Sequence, residues 1–322
     1  MKKQAGPGSE QAHGNRSIYF ALAANLAVAV AKMVGWGLTG SGTLLAEGLH
    51  SIADTGNQGL LLLGLRQAKT PPSAAYPLGH GRAIYFWSFV VAMMLFSMGG
   101  LLSIYEGVHR LLQPAEMTSP GVAIAILAFA LLAEAVSLRA AVREINKVRG
   151  QRSLWTWFRE SRRSALILVA AEDSAALAGL VIAFIAVVAT VATGNPLFDA
   201  FGSIVIGLLL VVVALTVGGQ IKGLLVGKSA APRVREAIAQ FVGNRQEIRR
   251  VQTLITLQYG DDVMVAIKAQ MRAAAAPRAM LIDIKRCKAE LKTAFPQVAW
   301  VFFEPALDDD VASTQECRAI DA

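Results

Sequence analysis

Residues 42–66 read GTLLAEGLHSIADTGNQGLLLLGLR, a stretch long enough to cross a bilayer that nonetheless carries Glu47, His50, Asp54 and Asn57. Steps of three and four put these side chains on one face of a helix, and His50 and Asp54, four apart, can point into a common volume. Ionisable groups inside a spanning segment are costly, so they indicate an ion pathway or binding site by default. A second stretch, LILVAAEDSAALAGLVIAF at 166–184, sets Glu172 and Asp173 deep within apolar sequence. An ion held between these two segments would give both sets of charges a partner.

The rest of the chain fits a membrane protein. Of its 322 residues 54% are hydrophobic and 17% charged, against roughly 45–50% apolar and about 25% charged in soluble domains. The mean hydropathy is +0.48. With about 20 apolar residues needed per span, six segments qualify, near 17–39, 42–66, 82–111, 119–144, 164–193 and 197–222. The first carries Asn25 and Lys32, and the sixth opens with Asp199. Lys2, Lys3 and Arg16 precede the first span, and Lys69 and Arg82 flank the second connection. Lys147, Arg149, Arg152, Arg159, Arg162 and Arg163 crowd the fourth, and Lys222 and Lys228 follow the sixth span. The odd-numbered connections contain no Lys or Arg, although Arg110 closes the third span on that side. This asymmetry places both termini in the cytoplasm, of a plasma or inner membrane if the protein is bacterial. The net charge of +8 then reflects topology, and no basic reading motif points to nucleic acid.

Residues 1–15 are polar, lack an apolar signal region and are expected to form a disordered arm. The transport domain is expected over 16–227. Beyond it, 228–305 has the pattern helix (232–242), strand (250–258), strand (262–271), helix (278–294), strand (297–303), an α+β, ferredoxin-like or metallochaperone-like αββαβ sandwich. A flexible tail is expected over 306–322. Cys287 and Cys317 form no disulfide framework or CxxC knuckle.

The donor set narrows the ion. Imidazole suits zinc and the later first-row divalents, carboxylates suit harder ions, and a membrane part without cysteine disfavours copper(I). His50, Asp54 and Asp173 supply one nitrogen and two carboxylates, close to what tetrahedral zinc requires, with the fourth position open to water or Glu172. Loading requires neutral imidazole and ionised carboxylates, so it displaces protons and permits proton-coupled exchange, with His50 as carrier. The structural alternative is a hydrogen-bonded His50–Asp54 pair and acids that satisfy neighbouring groups of the bundle. A hydrolase reading lacks an HExxH motif or a serine partner for His50, and no enzymatic activity is expected.

The segments GSGTLLAEGLHSIADTGNQ, PLGHGRAIYFWSFV, IYEGVHRLLQP, NPLFDAFGSIVIG and WVFFEP together resemble the cation diffusion facilitator family. TGNQGLL and YEGVHRLLQP are most similar to its zinc transporter 9-like branch. The resemblance implies a homodimer in a lipid bilayer that exports a divalent metal, usually zinc, in exchange for protons by alternating access, with the metal as cargo and no resident cofactor. It assigns His50, Asp54 and Asp173 to the transport site and places a further ligand position on Val169, where valine cannot coordinate. The site is then three-ligand or completed by Glu172, about 100° around the helix from Asp173. His80 matches a family histidine and is the residue on which a secondary metal contact would rest, Tyr76 and Ser73 standing where relatives place further ligands. Arg82 and Asp199 match a structural salt bridge near the dimer interface. The four histidines, His13, His50, His80 and His109, all precede the αββαβ segment, so a family-type zinc site is expected to be missing there and dimerisation to be its task. Glu106 and His109, three apart at the end of the third span, are expected to take a capping or lipid-boundary role there. Trp155, Trp157 and Phe158 among arginines suggest a segment in contact with anionic headgroups. Manganese or iron(II) as cargo, or a sensor or scaffold without flux, are the alternative readings.

Overall fold

The computed structural model describes residues 26–114, 119–272 and 276–307, with backbone only at 147 and 148. The expected N-terminal arm, the start of the first span and the tail beyond 307 lie outside the described residues. The helices of the first two thirds are α1 Leu26–Thr39, α2 Gly42–Ala68, α3 Ala83–Leu112, α4 Pro120–Arg149, the short α5 Leu154–Glu160, α6 Ser164–Thr193 and α7 Leu197–Val226. Among the described residues four helices are long and apolar enough to cross a membrane: α3, α4, α6 and α7. At 27 residues α2 has the length, but its polar face lowers its hydropathy. The described part of α1 is shorter.

The chain divides into two compact units. One comprises the chain up to Arg66, Phe86–Ser153 and Ser164–Ile221. Its core joins Leu44 and Ala46 of α2, Leu95 of α3, Leu127 of α4, Leu180 and Val187 of α6 and Ile206 and Leu210 of α7. Helices α4 and α6 pack along each other. Small residues bring α3 and α7 together, as is usual where apolar surroundings give helices little hydrophobic reason to associate. A Cβ at Gly207 would lie 2.7 Å from the Gly100 carbonyl, and one at Gly100 would lie 2.6 Å from Val211 Cγ2. Over Leu95–Leu101, which includes Gly99 and Gly100, α3 winds as a π-helix. Such a widened turn redirects side chains locally and is frequent at functional sites.

The other unit comprises Gln67–Tyr85, Leu154–Arg163 and the chain from Lys222. It holds α8 Pro232–Gly243, β1 Ile248–Tyr259, β2 Asp262–Met271, α9 Pro277–Ala294 and β3 Val298–Ala306. This is the helix–strand–strand–helix–strand order read from the sequence, with the ends of β1 and β3 moved by one to three residues and those of β2 unchanged. The sheet order is β1-β2-β3. Asp262 pairs with Tyr259 across the antiparallel hairpin, while β2 and β3 run parallel from Val263↔Val298 to Gln270↔Ala306. A parallel pair needs a crossover, which α9 provides. Ile238 and Val242 of α8, Cys287 and Leu291 of α9, and Val265, Ile267 and Val301 of the sheet form one core. The connection before α3 packs on the hairpin: Tyr259 Oη donates to Gly79 O (2.8 Å) and Tyr85 Oη to Gly260 O (2.9 Å). Within α5, Trp157 is buried while Trp155 is exposed and stacks with Phe158. Trp157 is therefore a packing residue here, unlike its expected role at the lipid surface.

Cys287 is completely buried, and burial pushes its thiol up. Thiolate attack requires both exposure and ionisation. In a Cys317→Ser background, maleimide should leave Cys287 unlabelled in the native protein and label it fully in denaturant. Rapid native labelling would contradict this packing.

Candidate metal centre

The polar face of α2 is the spine of the site. Glu47, His50 and Asn57 are fully buried and Asp54 nearly so, its side chain 14% exposed. His50 Nε2 lies 3.4 Å from Asp54 Oδ2, yet neither ring nitrogen is hydrogen-bonded. Asp54 Oδ1, Asn57 Oδ1 and Glu47 Oε1 are also buried without a hydrogen-bond partner. Unsatisfied polar atoms of this kind are rare in folded proteins, and their run along one helix face marks a place that can receive a cation or proton.

Helices α6, α4 and α3 supply the surroundings. Glu172 of α6 accepts a hydrogen bond from Asn57 Nδ2 (2.7 Å), which joins α6 to α2. Asp173 accepts one from Ser137 Oγ of α4 (3.1 Å). Asp54 lies within electrostatic reach of Asp173, Glu47 and Lys32, and Glu172 within reach of Asp54 and Asp173. A Cβ at Gly99 of the π-helical turn would sit 3.7 Å from His50 Nδ1, so the absence of a side chain there leaves room beside the imidazole. Among the described residues no three His, Cys, Asp or Glu side chains are close enough to form a preassembled metal cluster. His50 and Asp54 are brought together, while Asp173 and Glu172 engage Ser137 and Asn57.

Two contributors escaped the sequence reading. Glu134 of α4 reaches the charges of Lys32, Asp54, Asp173 and Glu47. Its signal was available, an acid in the apolar run AILAFALLAEAV, and follows from the same cost of intramembrane charge that selected α2. Lys32 of α1, noted in the sequence without a role, is completely buried and donates to Glu47 Oε2 (3.1 Å) and Ser51 Oγ (2.8 Å).

Asp199 and Arg82, which the resemblance pairs, each have other contacts within this protomer. Asp199 lies in the first turn of α7 and caps α2, accepting from Gly42 N (2.5 Å), Thr43 N (3.3 Å), Thr43 Oγ1 (2.7 Å) and Ser41 Oγ (2.8 Å). Arg110 approaches it at 3.9 Å and is itself held by Glu106 (2.7 Å). Arg82 instead lies over the Tyr259 ring, 5.3 Å from its centroid, and 3.7 Å from where a Cβ of Gly227 would be. Of the other expected residues, Glu106 binds Arg110, and the His80 ring meets Tyr76 at 4.2 Å with Nδ1 unpartnered.

These features define a multi-pass helical membrane protein with ionisable groups gathered inside its bundle. The chain belongs to the cation diffusion facilitator family, since the family model for the cation efflux transmembrane domain matches residues 18–219. It is close to the branch that contains the human mitochondrial proton-coupled zinc antiporter SLC30A9, to which it is 33% identical over 232 residues, 71% of this chain and 41% of that protein. Metal tolerance protein C4 of Arabidopsis thaliana is 31% identical over 72% of this chain and 51% of its own length. The cation-efflux pump FieF of Escherichia coli is 31% identical over 31% of this chain and 33% of its own length. The chain thus spans about two fifths to one half of the two longer-matching relatives.

Loss of an N-terminal helix cap costs about 1 to 2 kcal/mol, and more where buried donors are orphaned. Asp199→Ala should therefore lower thermal stability measurably. In a double-mutant cycle Asp199 and Arg110 should couple, and simple additivity of the two would contradict their contact.

Proposed function

We propose that the protein exports a divalent cation, zinc in the first instance, in exchange for protons, with His50, Asp54 and Asp173 as ligands and water or Glu172 in the remaining position. The observation that carries this reading is the buried, unpartnered polar face of α2, where both nitrogens of His50 and one oxygen of Asp54 lack hydrogen bonds beside the acids of α6. The names of relatives, a proton-coupled zinc antiporter and a cation-efflux pump, support it.

In this reading six helices span the membrane, both termini lie in the cytoplasm, and the αββαβ unit joins two copies into a homodimer. The ion enters from the cytoplasm and binds as the ligands lose protons. It leaves on the other side as the bundle rocks by alternating access and the ligands take up protons again. A rearrangement of a few ångströms that releases Asp173 from Ser137 would complete the ligand set. Asp54 and Asp173 are retained by the need for charge, since two carboxylates neutralise a divalent ion in surroundings that solvate it poorly.

The nearby Glu134 and Glu172 favour a second cargo class, manganese or iron(II), because extra oxygen donors suit harder ions than zinc. Purified protein in liposomes with a pH gradient and a lumenal pH dye separates the readings. Zinc uptake with proton release, lost in Asp54→Ala and Asp173→Ala without loss of folding, is the expected result. A preference for manganese or iron(II) would make the oxygen-rich surroundings decisive. Equal flux in wild type and Asp54→Ala would remove the site assignment, and no flux with any metal would leave a sensor or scaffold. Val169→His, one turn before Asp173, should tighten zinc binding by roughly tenfold through an added nitrogen donor; weaker binding would show that Val169 does not face the ion.

A further inference from the structure

We propose that Lys32 is a resident counter-cation of the divalent-ion site, held on Glu47 and Ser51 about one helical turn from His50, where it lowers the site's negative charge and keeps a bound divalent ion exchangeable. The proposal rests on the reading that the ion binds at His50, Asp54 and Asp173.

Four observations carry it. Lys32 is the one lysine or arginine among the described residues that is completely buried. Its ammonium is placed by Glu47 Oε2 and Ser51 Oγ, both on the polar face of α2. Glu47 spends only one oxygen on this pair: Oε1 is buried without a partner, on the side where a Cβ at Gly179 of α6 would collide with it. Lys32 is also within electrostatic reach of His50, Asp54 and Glu134, so its charge is felt across the centre and not by Glu47 alone.

The charge inventory shows why such a group matters. Glu47, Asp54, Glu134, Glu172 and Asp173, within electrostatic reach of Lys32 or of one another, would if all ionised carry more negative charge than one divalent ion requires. A centre with that excess would hold a divalent ion too tightly to release it, because charges act at long range where water is scarce. A tethered ammonium offsets part of the excess at every stage of the cycle and cannot leave with the cargo. A clamp that merely joins α1 to α2 would explain the hydrogen bonds but predicts no effect on ion affinity.

The two explanations separate by the sign of charge changes. Zinc binding to the full-length protein in detergent would be measured by competition with a fluorescent chelator, with size-exclusion profile and melting temperature as folding controls. Lys32→Gln should tighten binding about tenfold or more and slow flux, and Glu47→Gln should weaken binding by a similar factor. The Lys32→Gln/Glu47→Gln double variant, which changes no net charge, should return to within about threefold of wild type, and Lys32→Arg should match wild type. Wild-type affinity in both single variants, with binding lost in Asp54→Ala, would reduce the pair to a clamp and overturn the proposal while the site stands. Wild-type affinity in Asp54→Ala would overturn the site reading itself. Should Lys32→Gln fail to fold, the weakened binding expected of Glu47→Gln decides the question, and unchanged binding there overturns the proposal.

Discussion

Charge enclosed among apolar helices must be matched by an opposite charge, a hydrogen-bond donor or an ion, and the first unit is organised around that requirement. Its pressure point is α2, where Glu47, His50, Asp54 and Asn57 lie along one face. Each neighbouring helix answers part of the demand: α1 brings Lys32 to Glu47, α6 brings Glu172 to Asn57, and α4 brings Ser137 to Asp173. What the protein leaves unanswered, both nitrogens of His50 and one oxygen each of Asp54, Asn57 and Glu47, are the atoms on which the proposed cation site rests. A solvent-exposed helix with the same residues would satisfy these groups with water and would need no ion.

The same economy appears at the end of α2. Helix N-termini leave backbone N–H groups without intrahelical partners. Asp199, from the start of α7, receives Gly42 N and Thr43 N together with the hydroxyls of Ser41 and Thr43. One carboxylate thereby anchors the helix that carries the polar face to a helix far away in sequence. Glycine contributes in a different way: Gly100 and Gly207 let α3 and α7 approach at backbone distance, and Gly99 leaves space beside His50. The π-helical turn concentrates both effects next to the candidate site.

The second unit is built by ordinary burial of apolar surface. Alternating residues of β2, the inner faces of α8 and α9, and Val298 and Val301 of β3 make one apolar core. The connection before α3 and the segment around α5 belong to this unit as well, through Tyr85, Tyr259 and the Arg162–Ser229 contact. Arg82 is part of that packing, lying over the Tyr259 ring.

Hydrophobic length and periodicity are local properties, so the helices, the αββαβ order and the polar face of α2 were legible in the sequence to within a few residues. Intramembrane charge is also local, which makes His50, Asp54, Glu172 and Asp173 conspicuous; Glu134 obeys the same rule, but as a lone acid in the apolar run 120–136 it gives a weaker signal than a pair. Partner choice is not local. Whether Asp199 meets Arg110, whether Lys32 points to Glu47, and whether Glu172 turns to Asn57 depend on which helices are neighbours and how each is rotated. Packing over the whole bundle decides those, because a rotation of one residue, about 100°, exchanges one helix face for another. The sequence by itself determined which groups had to be buried; only the tertiary structure decided which of them met.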